Sequence, residues 1–128
     1  MKILLIIITF LVSNEIDQQE SAIYGHWKLI KIEVNQEVLR PEEQDYFLTI
    51  TKDLFSYNLE VNKCQTKDFT ITNHEINLDS VLCTLICCDG RFDSISNFIN
   101  YRGSYKVNQN QLIITKSNSK LFLERLLD

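Results

Sequence analysis

The sequence predicts a mainly-β fold: a curled antiparallel sheet or partial barrel, with one helix over about residues 90–101 packed against it. Three observations carry this. Short runs of β-branched and aromatic residues recur along the chain, separated by polar turns. Past the first twenty residues, the hydrophobic period becomes helical in one stretch only. The chain has 128 residues, 45% of them hydrophobic, which is enough for one domain with a core and too little for two. Curling such a sheet, with a helix over one open side, removes strand edges that would otherwise aggregate.

Residues 1–20 read as a signal peptide and short linker, and residues 21–128 as the domain. Lys2 gives a positive start, Ile3 to Val12 is apolar except for Thr9, and polar Ser13, Asn14, Glu15 and Asp17 follow. A bilayer core needs roughly 20 apolar residues. The shorter run fits a secretory h-region. Export to a periplasm, cell envelope or medium is expected. Membrane association is expected only through a partner or an uncleaved signal segment.

The domain opens with Ile23 to Val34. Trp27 and Leu29 fall on one face of a strand, and Ile30, Ile32 and Val34 on the other parity, which predicts a bulge near Leu29. Asn35 to Gln44, with Pro41, reads as a polar connection. Tyr46 to Thr51 and Leu54 to Val61 pair across Lys52-Asp53. Phe69 to Thr72 and Glu75 to Leu78 form a hairpin around Asn73-His74. Val81 to Cys87 is nearly continuous and apolar, as in a strand covered on both faces. Phe92, Ile95, Phe98 and Ile99 then recur at helical spacing. Asp89 suits the helix start, Asp93 the positive end of its dipole, and Gly103 its stop. A meander closes the chain through Tyr105 and Val107, Leu112 to Thr115, and Leu121 to Leu126. Its turns fall at Asn108–Asn110 and Ser117–Ser119.

In an exported chain, four cysteines suggest a disulfide framework. Cys64 lies at the end of one strand, and Cys83, Cys87 and Cys88 in or just after another. A bond from Cys64 to Cys87 or Cys88 closes a loop of about 24 residues and contributes roughly 3 kcal/mol on the chain-entropy model. Adjacent Cys87 and Cys88 would form a strained ring and point to opposite faces. Cys83 and Cys87 share a parity but sit far apart on an extended strand. Spacing alone leaves the pairing open.

Other chemistry finds little support. Cys83-x₃-Cys87 with His74 lacks the second pair of a structural zinc site. A nucleophilic cysteine needs a histidine, but His26 alternates with Trp27 toward water and His74 sits at a turn. Glu42, Glu43 and Asp45 form a local loop run rather than a pair facing across a cleft. Phosphate-loop, G-x-S-x-G and H-E-x-x-H motifs do not occur. A net charge of −4 offers no basic field for nucleic acid. Neither an enzyme nor a cofactor is expected. Trp27, Phe55 and Phe69 read as core packing or as the lining of an apolar ligand cavity.

The order of these elements, from about Ile23 to Leu126, resembles the META domain family of HslJ-like envelope proteins. Gly25-His26-Trp27 is similar to the family's opening strand. Asn62-Lys63-Cys64 resembles its Gly-Cys-Asn segment, and Thr84-Leu-Ile-Cys87-Cys88 its T-x-x-x-C element, with Cys88 in the matching place. Phe69 to Leu78, Ser104 to Val107, Leu112 to Thr115 and Leu121 to Arg125 follow in the expected order. The chain departs from the family at Lys63, Gln65 and the extra Cys83 and Cys87. The resemblance implies a β-rich exported or membrane-associated protein, linked loosely to stress or secretion, with no catalytic residues and a Cys64–Cys88 disulfide. The expected function is therefore a non-enzymatic module for an unidentified protein partner, with an exposed apolar patch rimmed by polar residues. G-x-W also opens lipocalin barrels. That similarity implies the alternative, a carrier whose small apolar ligand is lined by Trp27, Phe55 and Phe69.

Overall fold

The computed structural model describes residues 20–59, 61–86 and 101–127. Among these, the chain forms strands β1 (Gly25–Val34), β2 (Glu37–Leu39), β3 (Phe47–Ile50), β4 (Phe55–Leu59), β5 (Asn62–Thr66), β6 (Phe69–Ile71), β7 (Glu75–Leu78), β8 (Leu82–Cys83), β9 (Arg102–Asn108), β10 (Gln111–Lys116) and β11 (Ser119–Arg125). Their pairings are antiparallel. They build one sheet in the order β6-β7-β9-β10-β11-β1-β3-β4-β5-β8, with β2 on the second half of β1. The sheet curls into a half-barrel, the mainly-β architecture the sequence predicts. The helix expected over about residues 90–101 lies outside the described residues, apart from Tyr101, which is buried just before β9. The expected signal peptide also lies outside them.

The curl follows from alternation. Leu48 and Ile50 on β3, Phe55 and Tyr57 on β4, Ile76 and Leu78 on β7, Leu112 and Ile114 on β10, and Leu121 and Leu123 on β11 all point inward and are buried. On β1 the buried set is Trp27 and Leu29, then Ile32 and Val34. The change of parity falls where the register against β11 shifts: Leu29 faces Leu123 but Lys31 faces Phe122. Ile30 is the extra residue of a bulge. This is the bulge the β1 pattern predicts, and it lets one strand keep both halves of its apolar set on the core side.

The two ends of the sheet are joined by the chain itself. β5 runs into β6 through Lys67-Asp68, and β7 runs into β8 through residues 79–81. Thr66 ties the crossings together. Its hydroxyl donates to the Asp79 carbonyl at 2.7 Å and accepts from the Asp68 N–H at 3.0 Å. The Asp79 N–H donates to the Asp68 carbonyl at 2.8 Å. Inside this seam Phe55 of β4 meets Phe69 of β6 edge to face, with ring centroids 6.0 Å apart.

Four expectations need correction. Asn35–Gln44 is not only a connection, because β2 forms within it behind a two-residue turn. Asn35 and Gln36 both take left-handed backbone there, at φ 48° and 67°. Residues 62–66 form β5, whose inward positions are Asn62, Cys64 and Thr66. Two of these three are polar, so a hydrophobic pattern misses the strand. The described part of the Val81–Cys87 run, residues 81–86, is not covered on both faces: β8 is the outermost strand of the sheet among the described residues, and Leu82 is 73% exposed. Gly103 does not stop a helix. It lies in β9 beneath the Tyr101 ring, where an added Cβ would collide with the Tyr101 hydroxyl and approach the Thr115 carbonyl to 2.6 Å.

Candidate functional site

Trp27, Phe55 and Phe69, the candidate ligand-lining residues, are all core residues. Trp27 and Phe55 have 0% exposure, and Phe69 is half-buried against Phe55. Three open surface depressions, of about 500, 420 and 510 Å³, lie elsewhere. The first is lined by the β1–β2 and β10–β11 turns, the second by Ile30, Lys31 and the β9–β10 turn, and the third by residues 38–44 with Tyr46 and Val61. None of the three includes Trp27, Phe55 or Phe69.

What Trp27 does instead is anchor one end of the barrel. Its indole N–H donates to the Ile23 carbonyl at 2.9 Å. The Arg125 guanidinium lies over its ring, 4.2 Å from the centroid. Arg125 also donates to the Tyr24 carbonyl at 2.9 Å and to the Ala22 carbonyl. The last strand thereby fastens the segment that enters the first. Gly25 makes this possible. Its φ of 148° disfavours a side chain, and a Cβ there would come within 2.6 Å of the guanidinium. The spacing of Gly25 and Trp27 is visible in the sequence. The partner Arg125, about a hundred residues on, carries no local signal.

The second feature is the β8 edge. Cys64 bonds to Cys83 and not to Cys88, which lies outside the described residues. The reason is register: antiparallel β5 and β8 set Cys64 directly opposite Cys83, with Cα atoms 4.1 Å apart. Cys64 is buried at 2% exposure and Cys83 is half-buried. Beyond the bridge, two residues of β5 hold the chain extended. The Asn62 side chain accepts from the Ile86 N–H at 3.0 Å and the Thr84 hydroxyl at 2.9 Å, and donates to the Ile86 carbonyl at 3.1 Å. The Thr84 N–H donates to the Lys63 carbonyl at 3.0 Å, and the Lys63 N–H to the Thr84 hydroxyl at 3.0 Å.

These bonds present an apolar ridge to solvent. Leu82 is 73%, Leu85 98% and Ile86 55% exposed, beside exposed Lys63 and Gln65. Five hydrogen bonds at about 1 kcal/mol net each roughly match the low end of the backbone ordering cost, about 1–2 kcal/mol per residue over five residues. The disulfide fixes Cys83 against β5, so fewer residues of the segment have to be ordered by those hydrogen bonds. Sequence reasoning located the apolar run and the cysteines. The role of Asn62, whose buried amide substitutes for a strand's backbone, has no signal there beyond its place in the Asn62-Lys63-Cys64 segment.

The remaining candidates are solvated. His26 is exposed with Nδ1 3.0 Å from the Thr49 hydroxyl, and His74 is exposed at the β6–β7 turn. Glu42 and Glu43 are exposed in the β2–β3 connection, and Asp45 there pairs with Lys28 at 3.4 Å. Fold and site together define a curled antiparallel β half-barrel with a cystine-pinned apolar edge. Comparison with protein families, with curated proteins and with solved structures finds no match to this chain.

Proposed function

We propose that this protein is a non-enzymatic, exported binding module whose β8 edge receives an extended segment of a protein partner. One observation carries the reading: Leu82 on β8, the outermost strand of the sheet among the described residues, and Leu85 and Ile86 just past it stand 73%, 98% and 55% exposed, in a segment held extended from β5. An extended apolar edge pairs with an incoming strand through its backbone and with alternate side chains through its ridge. The ridge is small. A standard interface between folded proteins takes roughly 20–30 residues a side, so a short linear segment suits it better than a second globular face.

The order of motifs from Gly25-His26-Trp27 to Arg125 supports an HslJ-like META module of the cell envelope, with a role in stress or secretion. The Cys64–Cys83 disulfide is compatible with an oxidising compartment, and the apolar run Ile3 to Val12 after Lys2 has the composition of a secretory h-region.

The alternative is a lipocalin-like carrier of a small apolar ligand. The curled sheet favours it, because such barrels can hold one small ligand. The interior counts against it. A ligand cavity would leave accessible surface on its lining, and Trp27, Ile50, Phe55, Ile76, Leu112 and Ile114 have none.

A photo-crosslinking residue at position 85, with a control at position 111 on the far side of the sheet, tests the reading in the native host. The reading requires one reproducible protein adduct at 85 that is absent at 111. Identical adducts at both positions, or saturable micromolar displacement of a fluorescent fatty acid, would overturn it.

A further inference from the structure

We propose that the Cys64–Cys83 disulfide is a redox-sensitive clasp for the apolar ridge. Oxidised, it keeps residues 82–86 extended on the barrel edge; reduced, it releases them. The consequence for binding rests on the docking reading above, because a released segment no longer offers an ordered edge to a partner strand.

The attachment of this segment is narrow. Among the described residues, β8 pairs only with β5, at Cys64↔Cys83 and Gln65↔Leu82. Past the bridge, the hydrogen bonds to this segment among the described residues come from Asn62 and Lys63. Leu82, Leu85 and Ile86 face solvent and bury little that would hold them down. Val81 and Cys83, by contrast, pack against the core, so release is greatest past Cys83, at residues 84–86. The rest of the sheet does not depend on the bridge. β9, β10, β11 and β1 pair along long registers on the opposite side of the barrel.

The chemistry is thiol–disulfide exchange. The Cys64 sulfur is buried on the inner side, whereas Cys83 is half-buried at the edge. A thiolate of a dithiol reductant attacks the Cys83 sulfur. The Cys64–Cys83 bond breaks, a mixed disulfide forms on Cys83, and Cys64 leaves as a thiolate that takes up a proton. The second thiol of the reductant then attacks the mixed disulfide. Cys83 is freed as a thiol, and the reductant departs as its own disulfide, having supplied both electrons.

Hydrogen exchange on the full chain, followed by mass spectrometry with and without dithiothreitol, tests this. The amides of Thr84 and Ile86, which donate to Lys63 and Asn62, should exchange at least tenfold faster after reduction. Peptides from β10 and β11 should stay within twofold. A Cys64→Ala/Cys83→Ala double variant should show the reduced pattern without reductant and ignore dithiothreitol. Unchanged exchange at residues 82–86 overturns the proposal. So does equal acceleration across every strand, and so does continued reductant sensitivity of the double variant. Exchange needs no partner and decides the clasp by itself. Crosslinking at position 85 decides the docking reading separately.

Discussion

Replacing Arg125 with alanine probes how the barrel is locked at the end where its first and last strands meet. The side chain supplies two charge-assisted hydrogen bonds, to the Tyr24 and Ala22 carbonyls, and a stack on Trp27. Hydrogen bonds to charged groups contribute about 1.5–3 kcal/mol each, and a cation over an indole about 0.5–2 kcal/mol. Arg125 is half-buried and water can replace part of what is lost, so the expected cost is about 3–5 kcal/mol, below the simple sum. For a domain that gains about 5–15 kcal/mol in all, this is a drop of roughly 12–20 °C in Tm at about 4 °C per kcal/mol. Urea unfolding followed by the fluorescence of Trp27, the single tryptophan, reads it directly. The midpoint should fall with the m value unchanged, and native emission should shift to the red as the ring loses its cover. Arg125→Lys keeps the charge but loses the planar fork, and it should recover less than half of the loss. A cost below 1 kcal/mol for Arg125→Ala, or full recovery by lysine, would refute the argument.

Gly103→Ala should destabilise by about 1–3 kcal/mol, the usual cost of overpacking, because its methyl meets the Tyr101 hydroxyl, which donates to the Thr115 carbonyl at 2.7 Å. Thermal melting checks this, and Tyr101→Phe in the same background should not rescue it, since the ring itself remains in the way. Alkaline titration should show a second effect. Burial pushes the Tyr101 hydroxyl well above its ordinary range, and burial with help from Glu20 and Tyr24 pushes Tyr105 up to about 12. Both are bound to carbonyls as neutral donors, Tyr105 to Thr72 at 2.6 Å. The unfolded chain loses these protons near pH 10 while the folded chain keeps them. Stability is therefore fully present below pH 10 and declines as pH rises from there through 12. Urea midpoints measured across pH 9–12 should fall for the wild type and fall less for Tyr105→Phe.

Much of the fold is legible in the sequence because hydrophobic alternation reports which way a strand faces. The parity change at Leu29 to Ile32 announces the β1 bulge, and Lys52-Asp53 and Asn73-His74 announce two hairpins. Legibility fails where polar residues occupy inward positions. Asn62 and Thr66 flank Cys64 on β5, and without that strand the partner of Cys64 could not be read as Cys83. It fails again at β8, where an apolar run signals exposure and not cover: nothing local distinguishes a buried Leu85 from one that is 98% exposed. The Arg125 lock is the third case. A cation finds its ring and carbonyls about a hundred positions away, and no window along the chain contains both.

The pairing of β1 with β11 also governs when this molecule can form. These two strands lie mid-sheet, and Arg125 reaches a carbonyl 101 positions back. A nascent chain therefore lacks its keel until residues 119–125 have been synthesised. Such distant pairing makes folding slow, and during that interval the polypeptide stays threadable. A barrel whose central seam joins positions about a hundred residues apart closes as one unit rather than strand by strand along the chain.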